Sequence, residues 1–239
     1  MRIVVGTYNV HKCKGLDGLT RPGRIAEILA GNVADIWAIQ EVLLSQAEMV
    51  AETLKGYSLT FGEARTHNGE PYGNATLVRM PLSGSSERED VSVGGREPRM
   101  VLRTDLRQAG APIVQFRNVH LGTSYPERKV QAGKLVSWAI ASDAPSILAG
   151  DFNDWSGGSS IRVLDRAFEH LRKARMSRSY PGLLPLLHLD QIYFRGVSLL
   201  SARVLRTRLT MVASDHVPIM AHFLVPQLAV DLRVRHPSN

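Results

Sequence analysis

The stretch Ile147-Leu148-Ala149-Gly150-Asp151-Phe152-Asn153-Asp154-Trp155 decides how this chain is read. A short apolar run, Ile147 to Ala149, lies between Pro145 and Gly150, the mark of a buried strand. The strand then runs into a cluster of polar side chains. Asp151 and Asn153 are two residues apart, so in extended backbone they project to the same side. A carboxylate and an amide facing one point suit a hard cation, a water or a phosphate oxygen. The plain alternative is a cap, with Asp151 or Asn153 starting a helix near Ser156 to Ser160.

The rest of the chain repeats the pattern. Ile3 to Tyr8 is apolar and runs into Asn9, Val10 and His11. The Asp35 to Gln40 strand runs into Glu41, and Ile113 to His120 carries Asn118 and His120 at its end. Leu189-Asp190-Gln191 and Ser214-Asp215-His216 add two more polar steps late in the chain. One such ending reads as a cap. Their recurrence points to a shared polar floor at one edge of a sheet assembly, where strand ends and loops converge.

Between these strands the punctuation predicts helices at Pro22 to Ala30, Ser45 to Lys55, Glu127 to Ala141 and Ile161 to Leu171, the last amphipathic and basic. Pro22 suits a first helical position, and Gly31 and Gly56 suit helix ends. Further strands are expected at Tyr57–Phe61, Asn74–Arg79, Met100–Leu106, Leu189–Phe194, Ser201–Thr207 and Val217–Leu224. Ser83 to Pro98 reads as a polar, glycine-containing mobile segment. Helices separate some strands and hairpins others, so the expected class is α/β layers with mixed or antiparallel sheets rather than a doubly wound parallel sheet. No linker divides the chain. Residues 1–225 are expected as one domain and 226–239 as a surface tail.

With 239 residues the chain can bury a sizeable core. Its single cysteine, Cys13, excludes an internal disulfide and fits a reducing, cytoplasmic setting. No apolar run approaches a membrane span. The net charge of +7 favours an anionic partner or substrate: nucleic acid, a small phosphate ester or a phospholipid surface. Charge separates none of these, and oligomeric state is not legible.

Taken in order, Thr7-Tyr8-Asn9, Gln40-Glu41-Val42, Gly73-Asn74-Ala75, Asn118-Val119-His120-Leu121, Gly150-Asp151-Phe152-Asn153, Leu189-Asp190-Gln191-Ile192 and Ser214-Asp215-His216 resemble the motifs of the endonuclease/exonuclease/phosphatase superfamily. This is the DNase I-like fold, shared by exonuclease III-like enzymes, inositol polyphosphate 5-phosphatases and neutral sphingomyelinases. Each motif is weak alone; the ordered set is specific and covers almost the whole chain. The resemblance implies a four-layer α/β sandwich with two packed mixed sheets.

It also implies a Mg²⁺-dependent hydrolase acting on phosphate esters, with Mn²⁺ as a possible substitute. Glu41 would be the main metal ligand, with Asn9 beside it and Asp215 a further ligand. Asp151 would orient or deprotonate the attacking water, and Asn153 would hold a phosphate oxygen. His120 would donate to the phosphoryl group or leaving oxygen, and Asp190 would hold His216. Arg99 is a candidate substrate contact or a residue of a solvated strand face; Asn74 binds substrate or merely starts a strand. The basic segment Arg162 to Arg178 either holds a polyanion or is a solvated face. The remaining histidines, His11 among them, match no motif. The Asn118-x-His120 signature sits nearer the DNase I, phosphatase and sphingomyelinase branches. A phosphodiesterase or phosphatase is therefore expected first, a DNA or RNA nuclease second, and an inactive binding module last.

Overall fold

A computed structural model describes residues 1–155, 161–170, 178–182, 184 and 186–226. Two mixed six-stranded sheets pack face to face. In the first sheet the order is β11-β12-β1-β2-β4-β3, made from β1 (Arg2–Asn9), β2 (Ile36–Leu43), β3 (Tyr57–His67), β4 (Glu70–Arg79), β11 (Ser198–Val204) and β12 (Ile219–Leu224). In the second it is β5-β6-β7-β8-β10-β9, from β5 (Ser83–Asp90), β6 (Met100–Gln108), β7 (Ala111–His120), β8 (Ser146–Asp151), β9 (Glu169–His170) and β10 (Asp190–Arg195). Each sheet has one parallel pair, β1–β2 and β7–β8, with antiparallel strands on either side.

The alternation of side chains builds the layers. Ile3, Val5, Ile36, Ala38, Phe116, Ile147, Ala149, Ile192 and Phe223 face the space between the sheets. The opposite face of the first sheet, with Tyr8, Trp37, Ile39 and Leu77, packs on α1 (Pro22–Ala30) and α2 (Leu44–Leu54). The opposite face of the second, with Val119, Leu148 and Tyr193, packs on Ala132, Leu135 and Ala139 of α3 (Tyr125–Ile140). Both parallel pairs need crossovers, and α1 and α3 lie in these connections. The result is the helix–sheet–sheet–helix sandwich expected. Gly6 is required by close approach, since a Cβ there would overlap the Trp37 ring.

Two element expectations are corrected. Ile161 to Leu171 is not a helix: the described part holds a short 3₁₀ turn, Arg162–Arg166, followed by β9. Its apolar residues Ile161, Leu164 and Phe168 are buried against the second sheet, so tertiary packing overrides helical periodicity. Ser83 to Pro98 is not a wholly irregular segment. Ser83–Asp90 is the edge strand β5, whose polar side chains face solvent along an exposed rim. A further helix, α4 (Arg208–Ala213), was not expected; Thr207 caps it by accepting from Thr210 N. The helix start expected at Ser156 to Ser160, most of the tail from 226, and the middle of the basic segment lie outside the described residues.

Candidate active site

Topology explains why distant motifs meet. The parallel strands β1 and β2 end together, with Asn9 opposite Gln40, and β7 and β8 end together, with His120 opposite Asp151. The antiparallel neighbours begin where these end. β10 starts at Asp190, paired with Asp151, and β12 starts at Ile219, paired with Thr7, which puts Asp215 and His216 at the same edge.

The two sheets are tied together just below this edge by polar groups. Gln40 Nε2 donates to Asn118 Oδ1 at 2.8 Å, and Asn118 Nδ2 donates to the Ala75 carbonyl at 2.9 Å. Such a network is stable in the interior because its members are paired. One step higher, Asn9 Nδ2 donates to Glu41 Oε1 at 3.0 Å and, across the sheets, to Asp151 Oδ2 at 2.9 Å. Asn9 Oδ1 accepts from His11 N at 3.0 Å, so in this structure its amide orients the two carboxylates.

A β-bulge between Ile39 and Val42 lets Gln40 and Glu41 serve different layers. Glu41 has φ 55°, a conformation that costs a non-glycine residue about 1–3 kcal/mol and collects at functional sites. Asn153 is also left-handed, at φ 51°; its backbone N donates to Asp151 Oδ1 at 2.8 Å and its Nδ2 to the Leu121 carbonyl at 2.9 Å. The strand-to-turn step is tight: at Gly150 a Cβ would overlap the Val119 carbonyl.

Asp190 and His216 form the shortest polar contact of the floor, His216 Nδ1 to Asp190 Oδ2 at 2.6 Å. The other ring nitrogen, Nε2, lies 3.8 Å from Asp151 Oδ2. His120 Nε2 stands 3.7 Å from Glu41 Oε1 and 4.0 Å from Asp151 Oδ2. Arg99 Nη1 approaches the His120 ring nitrogens at 3.0 Å and its Nη2 donates to Glu97 Oε2 at 2.8 Å. A neutral ring has one acceptor nitrogen for this donor, which leaves the proton on the other. Arg99 thus meets the site through His120. Asn74 is buried, and its Nδ2 makes a long contact of 3.4 Å with the Met100 carbonyl.

His11 was not expected here. Its Nδ1 lies 3.6 Å from Glu41 Oε2 and 3.8 Å from Asp215 Oδ2. The signal was present in Asn9-Val10-His11, a second polar residue at the spacing that singled out Asp151 and Asn153. Ser214 was also passed over; its Oγ donates to the Asn9 carbonyl at 2.9 Å and holds the Asp215–His216 turn on β1.

The electrostatics divide the site. Burial would lower His216, but the charge and hydrogen bond of Asp190, with Asp151 and Asp215 nearby, push it up to about 10. Burial and the Arg99 charge push His120 down to about 3. Burial, aided by Asp190 and opposed by His216, lifts Asp151 to about 6. Burial alone would raise Glu41, yet His11, His120 and Asn9 hold it well below the usual carboxylate range. A neutral His120 carries no charge, so the His11 and Asn9 contacts and the nearby Lys12 ammonium do this at neutral pH.

In the metal-free protein His216 is therefore predicted to stay protonated through neutral pH and to titrate near pH 10, above its ordinary 6.5. The raised pKa fixes the sign: stability from the pair is fully present below about 6.5 and is lost as pH rises through about 10. Ring ¹⁵N shifts read this directly, and titration of His216 near its ordinary value would show that Asp190 does not hold it.

The pattern that defines the endonuclease/exonuclease/phosphatase family matches residues 6–216, a span running from β1 to the Asp215–His216 step. The chain belongs to this family. The Escherichia coli protein YbhP is 30% identical over 241 residues, covering 90% of this chain and 93% of YbhP. A Bacteroides vulgatus endonuclease/exonuclease/phosphatase has the same fold, with a TM-score of 0.81, 17% identity and coverage of 95% of this chain and 100% of that one. A mannosyl-6-phosphatase from Bacteroides thetaiotaomicron superposes with a TM-score of 0.78 at 18% identity, over 93% of this chain and 99% of that one. Members of the endonuclease/exonuclease/phosphatase family are hydrolases that act on phosphate esters. No helix among the described residues is long and apolar enough to cross a membrane.

Proposed function

We propose that this member of the family is a phosphoesterase that needs a divalent metal, Mg²⁺ or Mn²⁺, and directs water in line at phosphorus. The observation that carries the reading is the convergence on Asp151: Asn9 at 2.9 Å, His216 at 3.8 Å and His120 at 4.0 Å, contributed by both sheets.

The donor set fits a hard cation. Glu41 and Asp151 offer carboxylate oxygens in a cluster within 4.8 Å, with His120 beside them, and Asp215 faces Glu41 across His11. Asp151, Asp190 and His216 form a second such group, but Asp190 and His216 already bond each other. The only cysteine, Cys13, is buried, which removes a thiolate site. When bound at Glu41, the cation offsets negative charge developing on the phosphoryl and leaving oxygens.

The chain's own residues supply the rest. Asn9 and the Asn153 backbone fix both oxygens of Asp151, which orients a water and takes its proton. Asp190 keeps a proton on His216 Nδ1, so Nε2–H of the imidazolium points into the cleft toward a phosphoryl oxygen. His120, neutral beside Arg99, offers its remaining N–H to the leaving side. The Asn153 Nδ2 group has one N–H engaged with Leu121, and the second, without a partner among the described residues, would hold phosphate.

The test is a hydrolysis panel with Mg²⁺: bis-p-nitrophenyl phosphate, plasmid, single-stranded oligonucleotides, inositol phosphates and phospholipids. Turnover of at least one ester, dependent on metal, is expected. Inertness of the folded protein toward all of them, with Mg²⁺ and with Mn²⁺, overturns the reading.

A further inference from the structure

Beside Glu41 lies a cavity of about 250 Å³ that no catalytic role uses. One wall is the turn His11–Cys13 and the residues after it, with Lys12 and Lys14; the other is the hairpin tip between β3 and β4, with His67, Asn68 and Glu70. Asn68 and Gly69, at φ 51° and 83°, form the tight two-residue connection that Asn-Gly favours.

The first wall is under strain. His11, Lys12 and Cys13 are three consecutive non-glycine residues at φ 46°, 56° and 55°. The turn is held by Gln46 Nε2 donating to the Lys12 carbonyl at 2.9 Å and by Arg21 N donating to the Cys13 carbonyl at 2.8 Å. Its consequence is the position of Lys12, whose ammonium lies 3.9 Å from Glu41 Oε2 while its side chain lines the cavity. Glu41 thus divides two regions. Its Oε1 faces Asn9 and His120, and its Oε2 faces Lys12 and His11.

The lining is biased toward cations. The lining holds Lys12 and Lys14 against one carboxylate, Glu70, whose Oε1 is already occupied by Ser45 N at 2.9 Å; Lys12 also neighbours Glu41 at 3.9 Å, and Lys14 has no ion pair among the described residues. Lysine is a compact point charge with three donors, suited to a phosphoryl group. The volume falls below the roughly 300–1,000 Å³ of pockets that enclose a whole ligand, so it suits one group of a larger molecule.

We infer that this cavity is a subsite for a second phosphoryl group of the substrate, next to the one attacked, and that the substrate class is a small ester with two neighbouring phosphates. The inference rests on the phosphoesterase reading for the word substrate, and its binding test stands apart from turnover.

The test uses two non-hydrolysable probes, propane-1,3-diphosphonate and propylphosphonate, titrated calorimetrically into the full-length protein with Mg²⁺. The diphosphonate is expected to bind at least tenfold more tightly. Lys14→Glu should bring the two affinities within twofold of each other, and Lys14→Gln should fall between; the exposed control Lys129→Ser should keep the wild-type ratio. A general loss of folding lowers both affinities and leaves their ratio, so the ratio reports the subsite alone. An unchanged ratio in both Lys14 variants overturns the inference. So does a thymidine trinucleotide that gains the same Lys14-dependent tightness, which would assign the cavity to a nucleic-acid backbone. Hydrolysis of bis-p-nitrophenyl phosphate is scored separately: its absence alongside Lys14-dependent selectivity sinks the enzyme reading and spares the anion site.

Discussion

Replacing Asp190 by Asn is expected to lower kcat/KM by about a thousandfold or more while leaving the fold and metal binding in place. The magnitude is that seen when a catalytic histidine loses the carboxylate that fixes its tautomer and stabilises its charge. The structural reason is specific. Asp190 Oδ2 receives Nδ1–H of His216 at 2.6 Å, and this contact lifts the imidazole against the effect of burial. An amide offers no charge and, in one orientation, presents a second donor to Nδ1. The imidazole then becomes neutral at assay pH and loses the proton it would direct at phosphorus. His216→Ala should be at least as damaging. The double variant should be scarcely worse than the worse single one, because residues that act as a unit show strongly non-additive losses. A double-mutant cycle in kcat/KM decides the matter, with circular dichroism and metal titration as controls. Additive losses, or undiminished activity in Asp190→Asn, would make Asp190 a structural residue only.

Excess chelator is expected to bring hydrolysis to the uncatalysed background, and Mg²⁺ or Mn²⁺ to restore it. The reason lies in the charge balance around Glu41. Lys12 and Arg99 bring positive charge to the two sides of Glu41, while Glu41, Asp151 and Asp215 supply the anionic oxygens that a cation requires. A phosphate dianion approaching the three carboxylates without metal meets like charge at short range. Glu41→Gln removes a carboxylate that its neighbours hold well below the usual range, and calorimetry should show Mn²⁺ binding weakened about tenfold or more. Activity should fall at least as far and recover in part at high metal concentration. Full turnover in excess chelator would rule the mechanism out.

Much of the fold was legible because local chemistry and tertiary demand agree. β1, β2 and β8 are apolar on both faces, as strands between another sheet and a helix layer must be, and the polar residues at or near the ends of these strands and of β7 mark the open edge. Pro22, Gly31 and Gly56 sit where helix boundaries need them. The misread elements are those where the two levels conflict. Ile161, Leu164 and Phe168 have helical spacing, yet they anchor an irregular segment to the second sheet. Ser83–Asp90 has almost no strand propensity, and it pairs because β6 presents a free edge along its whole length. β3 was read too short because its outer half, Glu63 to His67, is mostly polar; the Asn68-Gly69 turn that closes its hairpin was the overlooked clue.

For the site, the sequence by itself determined the cast: carboxylates, amides and imidazoles at strand ends, in an order that marks one family. Chain order carries that information because each motif is local and needs only its own strand to end in the right residue. Tertiary structure alone decided who meets whom. Asn9 and Asp151 touch across 142 positions, and His216 reaches Asp190 across 26, because two parallel pairs finish at one edge and two antiparallel strands start there. It also decided the electrostatic roles. Two histidines of equal intrinsic basicity are driven to opposite protonation states, His216 by a buried carboxylate and His120 by burial beside Arg99. Charge state depends on what is packed within a few ångströms and shielded from water, which no reading of neighbours along the chain contains.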